Sequence, residues 1–173
     1  SAASTSNLTD VLVSARNFLG VRCAFRGGND ATQVGNASAG IPVTIATDAY
    51  GFKFVDCEFG SAGNTTRTTG PGFLRFAAGA GGAGSFVDCA FSMRSETTGA
   101  NPSGFIVEET ALDRLTTFKR CTFYNFSVFW GALPDYCFNV DQTTTFDILL
   151  MQCGMAGFDI VSDSARVKTI DAA

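Results

Sequence analysis

The sequence predicts an all-β solenoid: a single domain over residues 1–173 made of about five stacked coils, with a repeat of roughly 32 residues. Three observations lead there. A short motif recurs as Val21-Arg22-Cys23-Ala24-Phe25, Phe54-Val55-Asp56-Cys57-Glu58-Phe59, Phe86-Val87-Asp88-Cys89-Ala90-Phe91, Phe118-Lys119-Arg120-Cys121-Thr122-Phe123 and a degenerate Leu150-Met151-Gln152-Cys153-Gly154-Met155. Its cysteines stand at 23, 57, 89, 121 and 153, at intervals of 34, 32, 32 and 32 residues. A second apolar element keeps step with the first: Gly40, Gly72 and Gly104 each lie seventeen residues before a repeat cysteine. Between these elements stand glycines, prolines and short polar runs that leave no room for a helical period.

Taken in order, residues 1–10 are small and polar and read as an irregular lead-in, with Val11-Leu12-Val13 opening the first strand. In the motif itself apolar residues alternate with polar or small ones, the period of a strand with one buried face. That alternation points Val, Cys and Phe of Val-x-Cys-x-Phe inward. Residues 26–40 are rich in turn formers and form a loop, which also absorbs the two extra residues of the first interval. The second element follows the glycines as Ile41-Pro42-Val43, Phe73-Leu74-Arg75 and Phe105-Ile106-Val107, and in the next period Tyr136 replaces the glycine before Cys137-Phe138-Asn139. Cys137 therefore takes the repeat position of Ile41, Phe73 and Phe105, that of a core residue. Turns of differing chemistry, among them the all-Ala/Gly run from Ala77 to Gly84, join the second element to the next motif. Phe158-Asp159-Ile160-Val161 and Ala165-Arg166-Val167-Lys168-Thr169-Ile170 supply two strands of an atypical capping coil over 157–173.

Recurrence of the same residue at each period favours stacked rungs over successive hairpins. Parallel stacking about 4.8 Å apart would set the cysteines in one internal ladder and Phe25, Phe59, Phe91, Phe123 and Met155 in another. With this rung and spacing, over roughly residues 10–170, the chain resembles the right-handed parallel β-helix family, the pectate-lyase-like group that includes phage tailspike and other virion proteins. The resemblance implies a short right-handed parallel β-helix; for function it is weaker, because the fold hosts unrelated activities.

Composition narrows the chemistry. A net charge of −4, with sixteen acidic and twelve basic residues, provides no basic face for nucleic acid. The absence of histidine removes the commonest general base and zinc ligand, and neither a metal nor another cofactor is expected. No apolar run reaches the roughly 20 residues that cross a bilayer, so membrane insertion is not expected. The six cysteines, spaced one per repeat between apolar neighbours, read as reduced, packed thiols, which implies folding in a reducing setting.

Two sets of residues are candidates for function. Arg22, Asp56, Asp88, Arg120 and Gln152, each just before a repeat cysteine, form an outward polar column. In pectate-lyase-like enzymes acidic side chains on a strand face bind calcium and a nearby arginine acts as base, so the resemblance offers Asp56, Asp88 and Arg120 as a catalytic set; the ordinary reading is a row of solvated charges. Phe54, Phe86 and Phe118 occupy the parity opposite to Val-x-Cys-x-Phe. Either a bend turns them inward, or they are buried against another protomer together with Phe126, Phe129 and Trp130.

The expected function is a non-enzymatic structural or assembly module, a capsid-decorating or tail-associated virion protein. Its expected partners are other protein subunits, as a trimer or other homo-oligomer or a capsid surface, and its location the virion or the cytoplasm. The alternative is a carbohydrate-binding or carbohydrate-cleaving β-helix.

Overall fold

The structure, a computed structural model, describes residues 9–25, 41–60, 69–70, 74–77, 83–93, 101–102, 106–108, 114–126, 135–140, 146–162 and 164–170. The described residues contain strands and turns but no helix, and every strand pairing among them is parallel. The chain is a parallel β-helix.

Three sheets run along the column. The first stacks Thr9–Val13, Ile41–Ile45, Leu74–Phe76, Ile106–Glu108, Tyr136–Asn139 and Ile160–Ser162. The second stacks Leu19–Val21, Lys53–Val55, Ser85–Val87, Thr116–Lys119, Ile148–Met151 and Val167–Ile170. The third stacks Ala24–Phe25, Glu58–Gly60, Ala90–Met93, Thr122–Asn125 and Gly154–Ala156. A small fourth pairing joins Thr69–Gly70 to Asn101–Pro102. The motif thus yields two strands where the sequence reading has one continuous strand, and the coil closes with three sides.

The corner between the second and third sheets explains the difference. Arg22, Asp56, Asp88, Arg120 and Gln152 all adopt left-handed backbone, with φ of 54°, 54°, 55°, 52° and 56°. Aspartate tolerates this region through local hydrogen bonding, whereas arginine and glutamine are there against their intrinsic preference. Stacking holds them: Asp56 N–H donates to the Val87 carbonyl at 3.0 Å and Asp88 N–H to that of Lys119 at 3.0 Å. One residue on, the Cys57 carbonyl accepts from Ala90 N–H at 2.9 Å. Each corner therefore satisfies its backbone groups from neighbouring coils.

A left-handed residue breaks the two-residue alternation, so the parity before the corner is the reverse of the one expected. Phe54, Phe86 and Phe118 point into the column and are fully buried, while Val55 and Val87 are half-buried on the outer face and Val21 is 47% exposed. The bend is the correct alternative. As an interface these three phenylalanines are ruled out, because their rings already fill the protein's own core.

That core is two aromatic columns. Phe54 lies over Phe86 and Phe86 over Phe118, with ring centroids 5.1 and 4.5 Å apart and planes within 5° of parallel. Phe59, Phe91 and Phe123 form the second column at 4.5 and 4.7 Å. Between columns the rings meet edge to face, as Phe86 and Phe91 do at 5.9 Å and 66°. Both geometries suit the ring quadrupole, and removing each phenylalanine from water stabilises the fold by about 1.5–3 kcal/mol. From the first sheet, Val43, Leu74 and Phe138 close the interior on the third side.

The cysteines do not form the strand ladder expected of them. Strand pairing stops at Val55 and resumes at Glu58, so Cys57 and its counterparts Cys89 and Cys121 sit in the corner rather than in a paired strand. There they act as small buried side chains, with Cys89 Sγ facing the Phe54 carbonyl at 3.6 Å and Cys121 Sγ that of Phe86 at 3.5 Å. All six thiols are free; Cys23 and Cys153, in the end coils, are only partly covered, and Cys137 is buried.

Gly84, the last residue of the Ala/Gly run, also has a cause. A Cβ placed on Gly84 would lie 1.9 Å from Cζ of Phe52, so the ring of one coil occupies the space a side chain would take in the next. In the first sheet Val43 pairs with Leu74, whereas Leu74 pairs with Ile106 and Ile106 with Phe138. Ile41 is therefore one residue out of step with the repeat position assigned to it, while Phe73, Phe105, Phe129 and Trp130 lie outside the described residues.

Candidate functional site

The corner that sets the fold also displays the polar column. Left-handed backbone turns Asp56, Asp88, Arg22 and Arg120 away from the core, so all four are exposed. They pair between adjacent coils. Arg120 grips Asp88 with both arms of its guanidinium, Nε to Oδ1 at 2.6 Å and Nη2 to Oδ2 at 2.7 Å. Arg22 Nε lies 3.4 Å from Asp56 Oδ2 in a looser, more exposed pair. The two adjacent aspartates are thus each matched with an arginine on the far side, which offsets their mutual repulsion.

This pairing decides what the catalytic candidates can do chemically. The hydrogen bonds from Arg120, with smaller help from its charge and that of Lys119, hold the Asp88 carboxyl below the usual carboxylate range against a little burial. The same partnership raises the Arg120 pKa. A carboxylate whose two oxygens are both occupied is a poor proton donor near neutral pH, and a guanidinium fixed in its charged form is a poor base. Among the described residues no group of three or more Asp, Glu, Cys or His side chains is placed to hold a metal ion.

The outer face of the second sheet carries a different kind of surface. Register places Val21, Val55, Val87, Lys119, Met151 and Ile170 in a single row along the full height of that sheet. Five of the six are apolar. Val21 and Ile170 are 47% and 48% exposed, and Val55, Val87 and Met151 are half-buried. Leu19, 62% exposed, begins the neighbouring outward row. Period-two alternation assigns these valines to the core, which is why the sequence reading missed the row; the aspartate at the corner was the available signal, since it is one of the few residues at ease in left-handed backbone.

Exposed apolar residues also mark the ends of the column. Leu12 stands on the terminal strand at one end and Ile160 at the other, 60% and 49% exposed. Phe126 is 50% exposed beside Tyr124, with ring centroids 6.1 Å apart, so of the named interface candidates it alone is seen at the surface among the described residues.

A cleft that no sequence motif announces lies at the turns between the first and second sheets. Tyr50 is half-buried there, and the guanidinium carbons of Arg16 and Arg114 lie 5.4 and 5.0 Å from its ring centroid. The three residues line a concavity of about 210 Å³. Arg16 and Tyr50 come from equivalent turns of successive coils, tied by Asn17 N–H donating to the Tyr50 carbonyl at 2.8 Å. Among the described residues no helix is long and apolar enough to cross a membrane. Comparison with protein-family models, with curated proteins and with solved structures found no match.

Proposed function

We propose that this protein is a non-enzymatic structural module that assembles with further copies of itself through the outer face of its second sheet. The single observation that supports this reading is the in-register row of Val21, Val55, Val87, Met151 and Ile170, interrupted once by Lys119, which leaves apolar side chains exposed at both ends of the sheet and partly exposed between them. Contiguous apolar surface on a folded protein marks a place where another surface is covered. Lys119 within the row, with Lys53 and Lys168 in the neighbouring outward row, gives that face a polar element that can set register between copies. Closed symmetric assembly would bury the row while leaving the Asp88–Arg120 column in solvent. The resemblance of the rung to tailspike and other virion β-helices leads us to propose a virion setting for the assembly, as a capsid-decorating or tail-associated protein.

Light scattering over a tenfold range of concentration tests the reading. The wild type is expected as a fixed multiple of its 18.2 kDa chain. Val55→Lys/Val87→Lys, which places two charges at the centre of the row, is expected to run as the single chain with its fold intact by circular dichroism. A wild type that stays monomeric throughout would sink the proposal. Asp88→Asn is expected to assemble as the wild type does; a glycan that binds or is cleaved by the wild type but not by this variant would instead favour a carbohydrate-directed role.

A further inference from the structure

We infer that the Arg16–Tyr50–Arg114 cleft is a binding site for a small dianion, a dicarboxylate or a phosphate group. Two guanidiniums converge on one ring, within about 5 Å of its centroid on each count. One cation over a tyrosine is an ordinary stabilising contact. A second brings like charge onto the same ring, so the pair is best satisfied when an anion joins it. Among the described residues neither arginine forms an ion pair; the carboxylates of Asp56, Asp88 and Asp147 are engaged elsewhere.

The residues beside the cleft are small and the cleft itself is compact. In the sequence, the stretch between the elements carrying Tyr50 and Arg114 includes residues 77–84, all alanine or glycine. The described residues of that stretch, Ala77, Ala83 and Gly84, offer no side chain longer than a methyl. A volume of about 210 Å³ is below that of pockets for drug-sized ligands and suits a compact ion. Guanidinium forks bind carboxylate and phosphate oxygens in the same planar, two-pronged way, so these two sources share one chemistry here.

This site is independent of the assembly face: it lies on the turns, whereas the apolar row lies on the second sheet. The test is titration calorimetry of the full chain at low ionic strength, with sodium succinate in one arm and inorganic phosphate in the other. Saturable binding of one ion per chain in either arm is expected, and the arm that responds identifies the class. Arg16→Gln/Arg114→Gln should weaken that binding by at least ~10-fold. Arg166→Gln, which removes a surface arginine paired with Asp147, should leave it unchanged. Failure of both ions to saturate at about 20 mM would overturn the proposal, as would equal binding by the double variant. Both arginines are exposed, so an unchanged melting temperature and unchanged solution mass separate loss of this site from loss of fold or of assembly.

Discussion

Replacing Phe86 by alanine tests the inverted parity at the corner. Phe86 has no exposed surface and meets five other rings: Phe118 at 4.5 Å, Phe54 at 5.1 Å, Phe52 and Phe59 at 5.8 Å and Phe91 at 5.9 Å. Its removal takes a ring from the middle of one stacked column and leaves a void that neighbours on both sides cannot fill, because they are held in register by the coils above and below. Fully buried phenylalanines cost about 3–5 kcal/mol on truncation, and the enclosed site places Phe86 in the upper half of that range. For a domain of this length, about 4 kcal/mol corresponds to a fall of roughly 8–16 °C in melting temperature. The adjacent Val87, half-buried on the outer face, is expected to lose less than about 1 kcal/mol as Val87→Ala. Urea unfolding followed by circular dichroism measures both. A Val87→Ala loss exceeding that of Phe86→Ala would restore uninterrupted alternation and refute the left-handed corner.

The remaining expectations concern charges, packing and thiols. The Asp88 and Asp147 carboxyls should titrate below the ordinary value of 3.8, held down first by hydrogen bonds from Arg120 and from Lys168 respectively; carbon-detected NMR reads both, and Arg120→Gln should raise Asp88 alone. Because these folded-state values are depressed, any stability the pairs confer is present above the unfolded carboxylate pKa and disappears as pH falls through the folded one; a stability that rises on acidification over that window would contradict the pairing. Gly84→Ala should cost about 1–3 kcal/mol by overpacking against Phe52, and Phe52→Leu in the same chain should recover part of the loss. An additive double variant would show that the two residues do not meet. Burial pushes the Cys57 and Cys137 thiols up, whereas Cys153, partly exposed and hydrogen-bonded by the Cys121 thiol, comes down to about 7. Brief alkylation near pH ~8 followed by mass spectrometry should therefore modify Cys153 ahead of Cys57 and Cys137, and the reverse order would exclude these assignments of cover.

The stacked fold was legible because a repeat states its own geometry: the recurring Cys-x-Phe unit has to meet its copies, and the Phe59, Phe91 and Phe123 column is where the period alone places it. What the period does not carry is a backbone dihedral. Arg22, Asp56, Asp88, Arg120 and Gln152 share no side-chain chemistry, yet all take the same left-handed turn because stacking imposes it. One such residue per coil splits a strand into two, reverses the face of everything before it, and exchanges the expected roles of Phe86 and Val87. The same blind spot hid the apolar outer row and moved the cysteines from strand to corner. Arg120 and Asp88 were recognisable as neighbours from the 32-residue offset, but their two-pronged contact depends on side-chain reach. The Arg16–Tyr50–Arg114 cleft had no signature at all: its residues lie in three separate turns and share no motif.

Through-hydrogen-bond scalar couplings in the labelled protein examine the stacked, cornered coil most directly. They report which carbonyl each amide donates to. Stacked coils predict couplings from Ala90 N–H to the Cys57 carbonyl, from Thr122 N–H to that of Cys89 and from Gly154 N–H to that of Cys121, where the donor–acceptor distances are 2.9, 3.0 and 2.9 Å. Couplings from these amides to carbonyls within their own repeat would mean hairpins rather than stacked coils, and the β-helix, its corner and the outer row built on it would all fall together.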